Sequence, residues 1–280
     1  MLHRPQSTAE ALDLLAMEGA TIIAGGTDIF PAHVDRPPPK RLVDISRIPG
    51  LRGIRREGRA LRIGAATTWT DIARADLPSA FDMLRQGARE IGAVQIQNRA
   101  TIGGNLCNAS PAADGVPPLL ALDAQVELVS PRGARVLALD EFLIGNRRTA
   151  RASNEIMTAI LLRDDFVTAR STFRKLGARR HLVISIVMVA ALLDIDSNNH
   201  VQTARIAVGA ASAVARRLDG LEQRLVGARA DNAIGDIVST EDFGSLSPID
   251  DLRATAAYRR EAAAELVRRA LVELTSARHE

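Results

Sequence analysis

Over the first 165 residues, short apolar runs bounded by glycine or proline interchange with stretches of helical spacing, in no regular alternation. Ser7-Thr8-Ala9-Glu10 sets a hydroxyl three positions ahead of a carboxylate, a capping-box pattern, and Leu12, Leu15 and Met17 follow before a stop at Gly19. This predicts a short amphipathic helix. Ala20-Thr21-Ile22-Ile23-Ala24 is an apolar, partly β-branched run that enters the tight turn Gly25-Gly26-Thr27-Asp28, so a buried strand leads directly into that turn. Pro37-Pro38-Pro39 marks an exposed loop. Further strands are predicted over 42–45, 61–65, 125–129 and 136–139, the last two joined through Pro131-Arg132-Gly133. Thr70 and Pro78 introduce helices, the second running to about Ile91. Strands and helices mixed in this irregular order argue against a parallel doubly wound sheet.

After Asp164-Asp165 the pattern changes. Strands are predicted over 171–176, 183–194 and 204–208, with short connections that suit antiparallel neighbours. The apolar run 182–193, interrupted by Ser185, is β-branched and too short to span a bilayer. A short helix over 218–227 and a long one over 256–274 complete the chain. The long helix carries Ala263, Leu266, Val267, Ala270 and Leu274 on one side, with arginine and glutamate opposite. These changes place a domain boundary near residue 165.

Composition narrows the function classes. The chain has 280 residues, 46% hydrophobic and 25% charged, enough to bury one large core or several smaller ones as a soluble globular protein. Thirty-six basic residues face 33 acidic ones without a dense run, and six Phe, one Tyr and one Trp make no aromatic–basic surface, so nucleic acid is not an expected partner. The start, Met1-Leu2-His3-Arg4-Pro5, lacks a secretory pattern, which makes the cytoplasm the expected compartment. Cys107 is the sole cysteine, so neither an internal disulfide nor an iron–sulfur cluster can be built from this chain. The histidines show no ligand spacing, and no metal site is expected. Only Lys40 and Lys175 are lysines, so Lys175 is a lone ammonium among guanidinium groups.

The candidate chemistry lies in two glycine pairs, Ala24-Gly25-Gly26-Thr27-Asp28 and Thr101-Ile102-Gly103-Gly104-Asn105. Paired glycines let successive backbone N–H groups share one concavity and let the chain approach a phosphate closely, while Thr and Asn add donors. Either pair alone is equally a plain tight turn. No GxGxxG occurs and neither lysine follows a glycine, so the known nucleotide fingerprints are absent. The small, polar segment Leu106 to Asp114 reads as neither strand nor helix. Asp114 at its end is a candidate acceptor for sugar hydroxyls or a cap for the helix after it.

In this order and spacing, the two glycine motifs and Asn108-Ala109-Ser110-Pro111-Ala112-Ala113-Asp114 resemble the FAD-binding, or medium, subunits of the xanthine dehydrogenase and carbon monoxide dehydrogenase family of molybdenum hydroxylases. The resemblance covers nearly the whole chain, including Ile63 to Thr68 and Phe173-Arg174-Lys175. It implies an α+β protein with a vanillyl-alcohol-oxidase or PCMH-type FAD-binding domain over 1–165, made of two α/β subdomains of about 1–55 and 56–165. A C-terminal domain of antiparallel strands and helices, of the CO dehydrogenase flavoprotein type, would occupy 166–280. By the same resemblance, Ile22, Ile23, Ala24, Gly25, Gly26, Thr27 and Asp28 would line the pyrophosphate and adenosine side of FAD, and Thr101, Gly103, Gly104 and Asn105 would close over the phosphates. Cys107, Ser110 and Asp114 would approach the sugar and ribityl region, and Lys175 would lie near the isoalloxazine, where a cation stabilises negative charge on the reduced ring.

Two departures qualify this. Gln97 stands where relatives often carry arginine, so one contact is lost or moved to Arg99. Covalent attachment in the wider fold usually uses a histidine beside a glycine turn, whereas Thr27 follows Gly26 here and His33 lies farther on, so dissociable FAD is expected. His181, after Arg179-Arg180, is either an ordinary histidine or one that tunes the flavin. The implied role is electron transfer. A large partner subunit would hold the molybdenum cofactor and a small one two [2Fe-2S] clusters, in a dimer of heterotrimers, and this chain would pass electrons to NAD⁺, oxygen or another acceptor. The lack of an acid–base pair fits that role, and no residue is expected to be catalytic. The alternatives are a stand-alone flavin oxidase and a non-redox flavin- or nucleotide-binding scaffold.

Overall fold

The computed structural model describes residues 1–35, 37–163 and 168–276. The expected boundary near residue 165 lies outside them. A small parallel sheet comes first: β1 (Leu2–His3), β2 (Ala20–Ile23) and β3 (Arg41–Asp44), in the order β1-β3-β2, with Ile22 level with Val43. Helix α1 (Thr8–Leu15) buries Ala11 and Leu12 in a cluster with Val43, Ile45, Ile48 and Leu51. Ser7 caps α1 by accepting from the Glu10 N–H at 3.1 Å, and the Glu10 carboxylate accepts from Gln6 N–H, one residue outside the expected capping box. Among the described residues, parallel pairing is confined to this sheet.

The second sheet is antiparallel and contains β4 (Ile54–Glu57), β5 (Ala60–Gly64), β6 (Gln125–Ser130) and β7 (Gly133–Ala138). Beyond a small hairpin, β8 (Leu143–Gly145) and β9 (Arg148–Thr149), comes β10 (Ile156–Arg163), which takes the central place in the order β4-β5-β10-β6-β7. Strand β10 is not among the strands expected from sequence. Ile156 to Ile160 are all buried, so the strand shows no period-2 signal. Strand β4 was missed for the opposite reason, since only Ile54 is apolar in Ile54-Arg55-Arg56-Glu57.

Between β5 and β6 run α2 (Trp69–Ala73), α3 (Asp82–Glu90), α4 (Val94–Gln97), α5 (Ile102–Asn108) and α6 (Val116–Ala121), with α7 (Leu139–Phe142) after β7. Helix α2 starts earlier than expected because Thr68, not Thr70, caps it in a capping box with Asp71. The second glycine pair, expected as a tight turn, lies in the first turn of α5, and Leu106-Cys107-Asn108, expected as irregular, completes that helix.

The third sheet is β11 (Arg170–Leu176), β12 (Val187–Ile195), β13 (Val201–Gly209) and the short β14 (Arg216–Arg217), antiparallel throughout as the short connections suggest. Strand β12 begins four residues later than expected, because Leu182 takes φ +54° and Ser185 is drawn into a side-chain contact described below. One face of this sheet, with Phe173, Met188, Ala190 and Leu192, joins the core built from Trp69, Met83, Leu84 and Leu119. The other face packs under α8 (Asp219–Leu225) and α9 (Ala256–Ser276) through Val189, Ala191, Ile206, Ala263, Val267 and Leu271. Arg259, one turn ahead of Ala263 on the same side of α9, is 3% exposed and donates to the carbonyls of Ile186 and Ala210 and to Asp251. Five donors in one planar group allow a guanidinium to be buried there.

Candidate functional site

Where β2 ends, the chain turns through Gly25 and Gly26. A Cβ on Gly25 would run into the Arg99 carbonyl and come within 2.9 Å of the Ala100 Cα, so this loop presses on the backbone just before Thr101. Gly26 has φ +74°, a region that disfavours side chains. Two motifs about 75 residues apart are thereby brought into contact, on the glycine geometry that a backbone-to-backbone approach needs. The second motif is seated just as tightly, since a Cβ on Gly103 would lie 2.7 Å from both Cβ and O of Ala65 at the end of β5.

These loops border a cavity of about 620 Å³ lined by Ile22, Ala24, Gly25, Gly26, Thr27, Asp28, Thr101, Gly103, Gly104, Asn105 and Cys107. Its apolar portion comes from Leu15, Ile29, Ile45, Ile91, Ile96 and Met157, and Trp69, Asn108, Arg151 and Ser153 also reach it. A mostly apolar cleft with a few convergent polar groups is what a cofactor site requires. Of the residues expected from sequence, Ile23, Ser110, Asp114 and Lys175 are not in the lining. Ile23 is turned into the core at 7% exposure, and Ser110 caps a local turn by accepting from Ala112 N–H. Gln97 donates to the Arg89 carbonyl at 2.9 Å, His33 Nδ1 lies 2.8 Å from the Ile29 carbonyl, and His181 is exposed.

The two glycine pairs differ in the state of their amides. In α5 the first four are engaged: Ile102 N–H donates to Thr67 O, Gly103 to Ala65 O, Gly104 to the Thr101 hydroxyl and Asn105 to Thr101 O, at 2.9 to 3.1 Å. This pair is therefore not the N–H cradle its sequence suggests, because its amides are engaged and its glycines serve close packing. The amides of Gly25, Gly26, Thr27 and Asp28 have no acceptor among the described residues. A run of N–H groups at a cavity wall is a ready place for an anion.

Two further polar atoms lack a protein partner among the described residues. The indole Nε1 of Trp69 and Oδ1 of Asn105 are buried without a partner, and both side chains line the cavity. Trp69 was missed, although it follows Ile63 to Thr68, which carried part of the resemblance, and is the only tryptophan. Burial pushes the Cys107 thiol up to about 11, with Arg151 pulling the other way, so it stays neutral and a poor nucleophile at physiological pH.

Asp114, Lys175 and Ser185 form a separate cluster at the junction with the third sheet. Lys175 Nζ meets Asp114 Oδ2 at 2.6 Å and also donates to the Glu90 carbonyl, while the Ser185 hydroxyl donates to Asp114 Oδ1 at 2.6 Å. Both charged side chains are under 10% exposed. Burial pushes the Asp114 carboxyl up, against the pull of Lys175 and Ser185. Asp114 is therefore neither a helix cap nor an open acceptor, and Lys175 is not a surface lysine. Among the described residues, no group of three or more His, Cys, Asp or Glu is placed to hold a metal, and no helix is long and apolar enough to cross a membrane.

Comparison with known proteins gives this geometry a family. Residues 1–162 match the FAD binding domain in molybdopterin dehydrogenase, and residues 171–274 match the CO dehydrogenase flavoprotein C-terminal domain. The chain is 32% identical to the carbon monoxide dehydrogenase medium chain of Hydrogenophaga pseudoflava, over 96% of this chain and 94% of that one. It is also 32% identical to the nicotine 6-hydroxylase medium subunit of Paenarthrobacter nicotinovorans, over 96% and 95%. A reconstituted CO dehydrogenase from Oligotropha carboxidovorans superposes with a TM-score of 0.90 at 29% identity, covering 98% of this chain and 97% of that one. The α+β, PCMH-type fold expected from the motifs is thus the fold observed. The chain belongs to the FAD-binding family of the molybdopterin dehydrogenases, as a subunit of the medium, FAD-carrying type.

Proposed function

We propose that this chain binds FAD non-covalently in the cavity between the Gly25-Gly26 loop and α5, and serves as the electron-transfer subunit of a molybdenum hydroxylase. The observation that carries the reading is the set of unengaged amides from Gly25 to Asp28 on the wall of a cavity large enough for a dinucleotide, in a chain that matches medium subunits along almost its whole length. Bound there, FAD supplies the capacity to accept electrons one at a time and hand on two. The chain's own residues hold and shield it. The amides of residues 25–28 receive the diphosphate, and the apolar wall of Ile22, Ile45, Ile96 and Met157 excludes water. Ser110, Asp114 and Lys175 act from behind the cavity, the last two by fixing the third sheet against α3 and α6. A neutral Cys107 thiol favours a dissociable cofactor.

A large partner subunit with the molybdenum cofactor, a small one with [2Fe-2S] clusters, assembly as a dimer of heterotrimers, cytoplasmic location and NAD⁺ or oxygen as acceptor complete the proposal. The test is to co-express the chain with its genomic neighbours, record the visible spectrum, and release the cofactor by heat. Free FAD in the supernatant, with molybdenum and iron in copurifying chains, is the expected result. A colourless chain that cannot be reconstituted with FAD overturns it.

A further inference from the structure

At the rim of the cavity, the end of the glycine loop carries a negative charge. Asp28 and Arg151 are the charged side chains in the lining, and the Arg151 guanidinium is turned to the carbonyls of Ala152 and Glu155. A dinucleotide brings a diphosphate with roughly two negative charges to amides that adjoin the Asp28 carboxylate, and an uncompensated like charge at that range is repulsive. The structure supplies the compensation from another element. Asn108, the last residue of α5, donates its Nδ2–H to Asp28 Oδ1 at 2.8 Å, Arg147 Nη1 donates to Asn108 Oδ1, and the same Nη1 lies 3.9 Å from Asp28 Oδ1. Arg147 comes from the turn between β8 and β9. Its backbone N–H donates to the Ala109 carbonyl at 2.9 Å, and both residues hold left-handed backbone, φ +56° and +46°, which side chains other than glycine rarely adopt. The hairpin is therefore pinned to the end of α5, with its guanidinium directed at the loop.

We infer that Arg147 is a positioning residue for the cofactor: through Asn108 it neutralises and orients Asp28, so that the amides of residues 25–28 can accept a diphosphate. This rests on the reading that the cavity takes FAD, and deepens it. Arg147 and Asp28 are each more than half exposed, so the effect is moderate and sensitive to salt.

The test is a titration of apoprotein with FAD, followed by flavin fluorescence, at low and at about 0.5 M salt. Arg147→Gln keeps the length of the side chain and removes its charge at an exposed site, so the fold is retained. The expected result is a dissociation constant raised about 5- to 10-fold at low salt, the deficit shrinking at high salt as the Asp28 charge is screened, with Arg147→Lys recovering part of the affinity. In an Asp28→Asn background, where the amide oxygen still accepts from Asn108, adding Arg147→Gln is expected to change affinity less than 2-fold. Unchanged FAD affinity in Arg147→Gln, or a deficit of equal size in the Asp28→Asn background or at high salt, overturns the inference. A wild-type chain that takes up no FAD is a different outcome, and removes the underlying reading together with this one.

Discussion

Gly25-Gly26 and Gly103-Gly104 are the same dipeptide in the lining of one cavity, yet they do different physical work. The first pair leaves the regular ladder of β2 and exposes four successive amides without protein acceptors. In the second pair, every amide of the first turn of α5 is engaged by Thr101, Thr67 or Ala65, and the missing side chains let a helix lie on the end of β5. One pair offers hydrogen-bonding capacity to a ligand, and the other offers room for the fold. A glycine pair in a sequence therefore marks close approach, but what approaches, ligand or neighbouring backbone, is decided by where the amides point.

Substitutions at the individual glycines sharpen the contrast. Gly25→Ala has the largest expected effect, because the methyl would collide with the Arg99 carbonyl and must displace either the loop or the segment before Thr101. Stability should fall by about 1–3 kcal/mol and FAD affinity by about 100-fold or more, read by denaturant unfolding and by flavin titration. Gly103→Ala should act mainly on the fold. The clash with Ala65 is partly offset by the better helix propensity of alanine, for a net loss of about 1–2 kcal/mol with only a few-fold change in FAD affinity. If Gly103→Ala leaves stability intact and abolishes FAD binding, the two pairs do not divide between ligand and fold. Gly104→Ala is the mildest, since its methyl would meet only the Thr101 hydroxyl and otherwise face open space at the cavity wall. Its melting temperature should stay within a few degrees of wild type, for a change within about 1 kcal/mol, while FAD affinity falls a few-fold.

Much of this was legible in the sequence. The run Ala20 to Ala24 into a glycine turn, the antiparallel C-terminal strands and the apolar side of α9 all follow from local pattern, and most of the residues named for the cofactor line one cavity. What was not legible depended on tertiary partners. Two glycines argue against a helix by about 1 kcal/mol each, and α5 forms because Thr101 caps it and Ala65 receives it. Strand β10 is buried on both faces and so lost the alternation by which a strand is found. Ser185 reads as an interruption in a long apolar strand, whereas its hydroxyl is committed to Asp114, a residue 71 positions away. Trp69 and Arg147 carried no motif, and their relation to the cavity exists only once β5, α5 and the β8–β9 hairpin are assembled.

The contact between Asp114 and Lys175 also limits how the molecule can move. Sliding the third sheet away from α3 and α6 would leave a buried carboxylate and a buried ammonium each without its partner, which is costly. The third sheet is thus held at one fixed offset from α3 and α6, like a keyed joint rather than a hinge.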